Sequence, residues 1–510
     1  MSRTNIIRIA AVYGLFGCAL ILVATSRYGA GLSSDSATYL AGARNILEGR
    51  GYANFDGAPI LAFPPLFSIA IAMLSGGLFD LADAARVLNA LCFGSVVFLS
   101  AHWLFRHLHS RFLAIAGTTT VLFSAALIGI SVYAWSEPLF LVLTLLMLLQ
   151  FEKAVPAQSR VDWVWAGIFA ALAILTRYAG ISVVLTGALV LALQRADRGA
   201  SLIRRLFLFL SITMLPIGLW FYRNYNLSST ITGYRVESAR TVIQTGYDLI
   251  NVLSLWFLPE WVPFPYRGYF TVFLVILFGS IVFIVCRAHC SFMGIRAIIP
   301  FLVFTLLYTL LMLYTTSTTA LSPIDDRYMS PLFVPLILSF FYLLDRGMHI
   351  DMEESLNPFP RAVLATTILI WLMHPIVMTY KILKTSLEEG AGGFHTAYWA
   401  ESELISYLKS NELPGAIYTN EPSAVYALTG QVYLPSPEKV GYESDVPTED
   451  LQRFQADLQS RGELYIVWFH TDWWKGYLYE IDELQGTCDI EKIVTRKDGD
   501  IYRMRLSDCE

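Results

Sequence analysis

Charge is what this 510-residue chain has least of: only 15% of its residues are Asp, Glu, Lys or Arg, against 55% hydrophobic. With a mean hydropathy of +0.53, that excludes an ordinary soluble protein, in which roughly a quarter of residues are charged. Cysteine is also scarce. There are six, Cys18, Cys92, Cys286 and Cys290 lie in or beside apolar runs, and no CxxC pair occurs, so no metal-ligand pattern can be written and neither a divalent metal nor another cofactor is indicated. Basic excess is missing too: 36 Lys and Arg stand against 41 Asp and Glu, which excludes the dense positive surface that nucleic-acid backbones require.

What charge there is divides unevenly. Residues 1–380 hold 24 basic and 18 acidic side chains, and residues 381–510 hold 12 and 23. A membrane domain (1–380) followed by an acidic water-soluble domain (381–510) accounts for this. Apolar runs of roughly 17–25 residues mark membrane spans. Eleven are expected, near 6–24, 84–105, 112–131, 137–151, 163–176, 179–193, 206–222, 270–286, 297–314, 328–344 and 362–380. The fifth and sixth are short and meet at Arg177, either as two spans or as one re-entrant pair. The first run follows Arg3 and Arg8 like a signal peptide but lacks a small-residue cleavage site, so it reads as a signal anchor.

A cytoplasmic N-terminus puts 14 basic residues into the short inside segments and ten into the much longer outside ones, in keeping with the positive-inside rule. The acidic tail then lies outside, with a loop at 26–83 and another at 223–269. A bacterial plasma membrane is the natural setting. The tail pair Cys488 and Cys509 supports this topology. Counted outward from a two-residue turn at Asp498-Gly499, the two face each other across a hairpin at a separation a disulfide tolerates, and disulfides belong outside the cytoplasm.

The first outer loop contains SSDSATYLAGARNILEGRGY, where Ser34 can cap a helix whose Tyr39, Ala43 and Ile46-Leu47 form one apolar stripe. PPLFSIAIAMLSGGLF beyond it is too short to span and suits the interface. LWFLPEWVPFPYRGYF in the second loop suits the headgroup level. The tail alternates helices near 398–408, 422–428 and 448–460 with strands at 416–419 and 463–469 and a terminal hairpin, which is a small α/β domain.

Ionisable residues at a membrane boundary are costly and therefore informative. Asp35, Glu137, Arg177, Arg223 and the run Asp325-Asp326-Arg327-Tyr328 all fall on the outer side. Each alone could be a helix-end charge or a snorkelling anchor. Together, two acids and three arginines at one level describe a site handling both an anion and a proton.

These stretches, SSDSATYLAGARNILEGRGY, FPPLF, SEPLF, LTRYAG, WFYRN and DDRYMSPLFVP, with IYTNEPSAVYALTGQVYLP in the tail, resemble the GT-C superfamily of polytopic glycosyltransferases. The likeness is to the PMT/ArnT-like group (family 39) and its RgtA/B/C/D-like relatives. It implies a GT-C membrane domain of about 11 helices with a small C-terminal α/β domain outside the cytoplasm. Asp35 matches the catalytic first-loop acid and Glu137 the second acidic position. Arg177, Arg223 and Arg327 match basic positions near a lipid phosphate, with Tyr39, Asp326 and Tyr328 as further substrate contacts. A single acid follows the first span, unlike the Asp-Glu pair of eukaryotic protein mannosyltransferases.

The implied activity moves a hexose or pentose from a polyprenyl-phosphate donor to an acceptor hydroxyl on a lipid, glycan or protein, among membrane lipids and with no nucleic acid involved. Arginines neutralise the leaving phosphate, and a carboxylate of ordinary pKa, about 3.9, takes the acceptor proton as the bond breaks, with inversion. The rivals are a lipid or sugar transporter or flippase and a ligase moving a whole lipid-linked oligosaccharide. Against a transporter stand the lack of repeated halves and the placing of the acids at one boundary rather than the midplane.

Overall fold

The computed structural model describes residues 1–157, 160–193, 199–288, 292–350, 359–471, 475–485 and 489–505. Helices occupy every expected span: α1 (Arg3–Ala24), then the first-loop helices α2 (Ser34–Leu47) and α3 (Leu66–Ser75), α4 (Leu81–His107), α5 (Arg111–Leu122), α6 (Ala125–Ser131), α7 (Glu137–Ala157), α8 (Arg160–Thr176) and α9 (Ile181–Ala192). There follow α10 (Ala200–Ser228), α11 (Val242–Leu255), α12 (Phe264–Ala288), α13 (Ile299–Thr318), α14 (Asp326–Ile350) and α15 (Phe359–Glu388). Among the described residues seven helices are long and apolar enough to cross a membrane, or eight if α5 and α6 form one bent span. The protein is an α-helical multi-pass membrane protein.

Three departures from expectation have local causes. The run at 112–131 is not one straight helix. It breaks because Ser124 accepts a hydrogen bond from the Leu127 amide at 3.3 Å and starts α6 afresh. The second long loop contains α11, opened by a reciprocal cap in which Thr241 and Gln244 satisfy each other's backbone amides. The last membrane helix does not stop at 380 but continues to Glu388. The break at Arg177 falls as expected, with an extended residue (φ −148°, ψ 139°) between α8 and the 3₁₀ turn that leads into α9.

A short α/β domain follows. Its five-stranded sheet is built from β3 (Ile417–Thr419), β4 (Leu434–Pro435), β5 (Glu463–Phe469), β6 (Asp489–Arg496) and β7 (Gly499–Arg505), in the order β4-β3-β5-β7-β6. Strand β3 is parallel to both β4 and β5, while β7 runs antiparallel to β5 and β6. The small ladder of β1 (Gly390–Gly392) and β2 (His395–Thr396) precedes it.

The terminal hairpin corrects the expected turn. Arg496 pairs with Gly499, so the turn residues are Lys497 and Asp498, and a register shift between Lys492 and Val494 places Asp489 opposite Arg505. The reason lies outside the hairpin. The Asp498 carboxylate accepts from Ser402 Oγ and the Leu404 amide and so caps a helix of the domain, α17 (Glu403–Ser410), which α16 (Ala397–Ala400) precedes. Gly499 is there for close approach: a Cβ would sit 2.4 Å from the Trp468 carbonyl oxygen. Cys488 and Cys509, whose facing rested on the other register, lie outside the described residues.

The junction between the two domains positions the site. Gly31 exchanges backbone hydrogen bonds of 2.9 Å with Val132 and Ala134, and on the other side Phe394 N–H donates to Leu32 O at 2.7 Å. The start of the first loop, at Gly31 and Leu32, is thus a short strand held between the α6–α7 connection and the start of the α/β domain. Glycine is required twice: a Cβ on Gly393 (φ 60°) would lie 1.7 Å from Leu32 O, and one on Gly392 (φ 123°) 1.8 Å from the Tyr133 hydroxyl.

Candidate active site

Directly after that pinned strand, Ser33 caps α2 and sets Asp35 in its first turn. Trp135 Nε1 donates to Ser33 Oγ at 2.8 Å, so the start of α2 is tied to the start of α7. Glu137, the first residue of α7, is buried, with 1% of its side chain exposed. It is not left unpaired: Arg177 Nη1 lies 2.5 Å from Glu137 Oε1, and Arg327 Nε donates to the same oxygen. Arg327 then reaches on with Nη2, 2.5 Å from Asp35 Oδ2, and its guanidinium lies 4.3 Å from the Trp135 ring centroid.

The result is a chain of alternating charge, Asp35–Arg327–Glu137–Arg177, drawn from α2, α14, α7 and the α8–α9 break. A buried carboxylate is tolerable only when paired and hydrogen-bonded; Glu137 satisfies this with two guanidinium groups, which it holds side by side. Asp35 is the accessible acid of the pair, with 30% of its side chain exposed. Only one oxygen of Glu137 is used. Its Oε2 has no hydrogen-bond partner among the described residues.

Tyr39 joins from α2. Its hydroxyl lies 3.0 Å from Ser136 Oγ, which also accepts from Arg177 Nη1 at 3.2 Å. Its ring is buried edge-on against Phe63 and Phe67. Burial raises this phenol well above its ordinary range, Asp35 and Glu137 adding to the rise and Arg177 and Arg327 opposing it. It is a neutral hydrogen-bonding member of the wall.

Arg223 and Asp326 make their contacts away from the ion cluster, whereas the Tyr328 phenol lies within the field of Arg327, Arg177 and Asp35. Arg223 donates to Ile60 O at 3.1 Å and Tyr52 O at 3.0 Å and lies 4.5 Å from the Trp220 ring centroid, so its fork clamps the first loop. Asp326 accepts from Trp256 Nε1 at 2.7 Å and so faces the end of α11. Tyr328 contributes its carbonyl to the Tyr308 hydroxyl, 2.8 Å away. Sequence reasoning missed Ser33 and Ser136 as site members, although Ser136 immediately precedes Glu137. It also missed Arg235, which donates to Ala62 O at 3.4 Å from the second loop.

No protein-family model and no curated protein sequence matches the chain. Solved structures do. The chain is similar to apo ArnT from Cupriavidus metallidurans at TM-score 0.60 and 15% identity, covering 96% of this chain and 97% of that one. It is similar at TM-score 0.62 and 14% identity to the same organism's ArnT bound to undecaprenyl phosphate, over 97% and 98%. Both the membrane helices and the C-terminal domain are therefore spanned, and the chain has the GT-C fold.

Proposed function

We propose that this GT-C-fold chain transfers a sugar from a polyprenyl-phosphate carrier to an acceptor hydroxyl at the outer face of the membrane. The observation that carries this reading is Arg327 reaching from buried Glu137 to accessible Asp35, with Arg177 on the far side of Glu137. The undecaprenyl phosphate bound to the similar ArnT supports the choice of donor.

In this mechanism the phosphodiester anion of the donor engages Arg177 and Arg327, whose planar forks suit phosphate oxygens. Glu137 keeps the two cations together and oriented before the donor arrives. Engagement of phosphate by Arg327 draws its Nη2 from Asp35 and frees that carboxylate. The acceptor oxygen attacks the anomeric carbon as the carbon–oxygen bond to phosphate breaks, the electron pair leaves with the polyprenyl phosphate, and the acceptor proton passes to Asp35. One displacement inverts the anomeric centre. A phosphate leaving group needs neutralised charge rather than a proton, so no separate general acid is required. Arg223 acts at one remove, fixing the first loop through the Tyr52 and Ile60 carbonyls.

The test is product analysis: purified protein incubated with a polyprenyl-phosphate sugar and envelope lipids should release free polyprenyl phosphate and form a glycosylated product of inverted anomeric configuration. Retention of configuration, or uptake of the lipid-linked sugar into vesicles without cleavage, would refute it.

A further inference from the structure

A second site lies beside the ion cluster, where the α/β domain meets the first loop. A cavity of about 420 Å³ is lined by Ser33 and Ser34 on one side and by Glu421, Ser436, Tyr442, Lys475 and Tyr477 on the other, within the ~300–1,000 Å³ usual for small-ligand sites. It opens at the carboxyl ends of β3 and β4, where an α/β sheet with strands on both sides of β3 presents its ligand crevice. The floor is rigid. Asn420 exchanges hydrogen bonds of 2.9 Å with the backbone of Phe469 at the end of β5, and Lys475 Nζ lies 2.7 Å from Asn420 O and 2.5 Å from Glu421 Oε1.

Ser436 is 2% exposed, and its Oγ has no hydrogen-bond partner among the described residues. A buried hydroxyl without a partner is a cost the fold does not explain. Tyr442 and Tyr477 meet edge to face, their centroids 5.6 Å apart. The charged side chains lining the cavity, Glu421, Glu438 and Lys475, leave no positive excess to attract a phosphate.

We propose that this cavity binds the saccharide portion of the acceptor and presents its hydroxyl to Asp35. A sugar ring offers hydroxyls that donate to carboxylates and accept from an ammonium or serine, together with C–H faces that pack on tyrosine rings. The cavity supplies each of these. It shares the start of α2 with the ion cluster: Ser34 is the chain neighbour of Asp35, and Ser33 is bonded to Trp135, which lies against Arg327. The proposal rests on the transfer reading above, but its test does not.

Saturation-transfer NMR of the full chain in nanodiscs, with the methyl glycosides of glucose, galactose and mannose as probes, should show binding of at least one. Glu421→Gln and Tyr477→Ala should each weaken that signal at least tenfold, as should Tyr442→Ala, whose half-exposed ring can be removed without burying anything unpaired. Asp35→Asn should leave it intact. Binding of none of the three glycosides, or an unchanged signal in all three cavity variants, would overturn the proposal. Saccharide binding alongside full turnover by Asp35→Asn would instead retain the cavity and refute the transfer mechanism.

Discussion

Glu137 is buried between Arg177 and Arg327, so substituting it tests how far it positions the two arginines. Glu137→Gln takes the carboxylate from Arg177 and leaves Arg327 with Asp35 alone, and breaking a buried pair in this way typically costs about 3–5 kcal/mol. A lowered Tm and poor retention of polyprenyl phosphate are expected together; thermal melting with and without that lipid checks both. Arg327→Lys keeps the charge but cannot span Asp35 and Glu137 with one planar group. Its affinity for polyprenyl phosphate should fall at least tenfold, about 1.4 kcal/mol. Arg223→Lys should change that affinity far less and instead loosen residues 52–62, visible as faster amide exchange in the first loop. Equal losses of lipid affinity in the two Lys variants would show that Arg223 contacts the donor.

At the scale of elements, the chain's physics explains what could be read early. Long apolar runs have no soluble alternative, so every expected span is a helix, and the tail's strands at 463–469 and 417–419 sit where short β-branched and aromatic runs follow Gly462 and Gly415. Asp35, Glu137, Arg177 and Arg327 were legible because burying charge at a boundary is expensive without a reason. The assignments that did not carry through depend on distant partners. The hairpin turn shifted because Asp498 is used to cap another helix. Helix α11 was hidden by its length, although Thr241 and Gln244 marked its start. The junction glycines have an element-scale consequence: Gly393→Ala puts a Cβ against Leu32 O at positive φ, a strain of order 1–3 kcal/mol. It should release the 31–32 strand, raise protease sensitivity at the junction and lower activity without touching the ion cluster. Unchanged cleavage in the folded variant would contradict this role.

At the scale of the whole molecule, the α/β domain is docked on the first loop through Phe394 N–H to Leu32 O and through His395. His395 Nδ1 donates to Ala30 O at 2.9 Å in that contact, and burial lowers its pKa from 6.5, the Ala30 hydrogen bond and the charges of Asp80 and Asp83 opposing the drop. Because the docked imidazole binds a proton less readily than the released one, docking is fully supported above about pH 6.5 and weakens as pH falls below it. The protection of amides across residues 26–34, taken relative to their intrinsic exchange rate at each pH, should therefore fall between pH 7.5 and 5.5. His395→Gln, neutral throughout and still able to donate to Ala30, should abolish the difference; an unaltered pH response in that variant would assign it elsewhere. The central claim, that Asp35 takes the acceptor proton at a site where arginines hold the lipid phosphate, is tested most directly by measuring turnover and polyprenyl-phosphate affinity of Asp35→Asn side by side. The expected result is a fall in turnover of at least ~10²-fold, as for a lost general base, with lipid affinity kept or increased because Arg327 Nη2 is no longer engaged by Asp35 while Nε stays on Glu137. A folded Asp35→Asn protein with near wild-type turnover would contradict it.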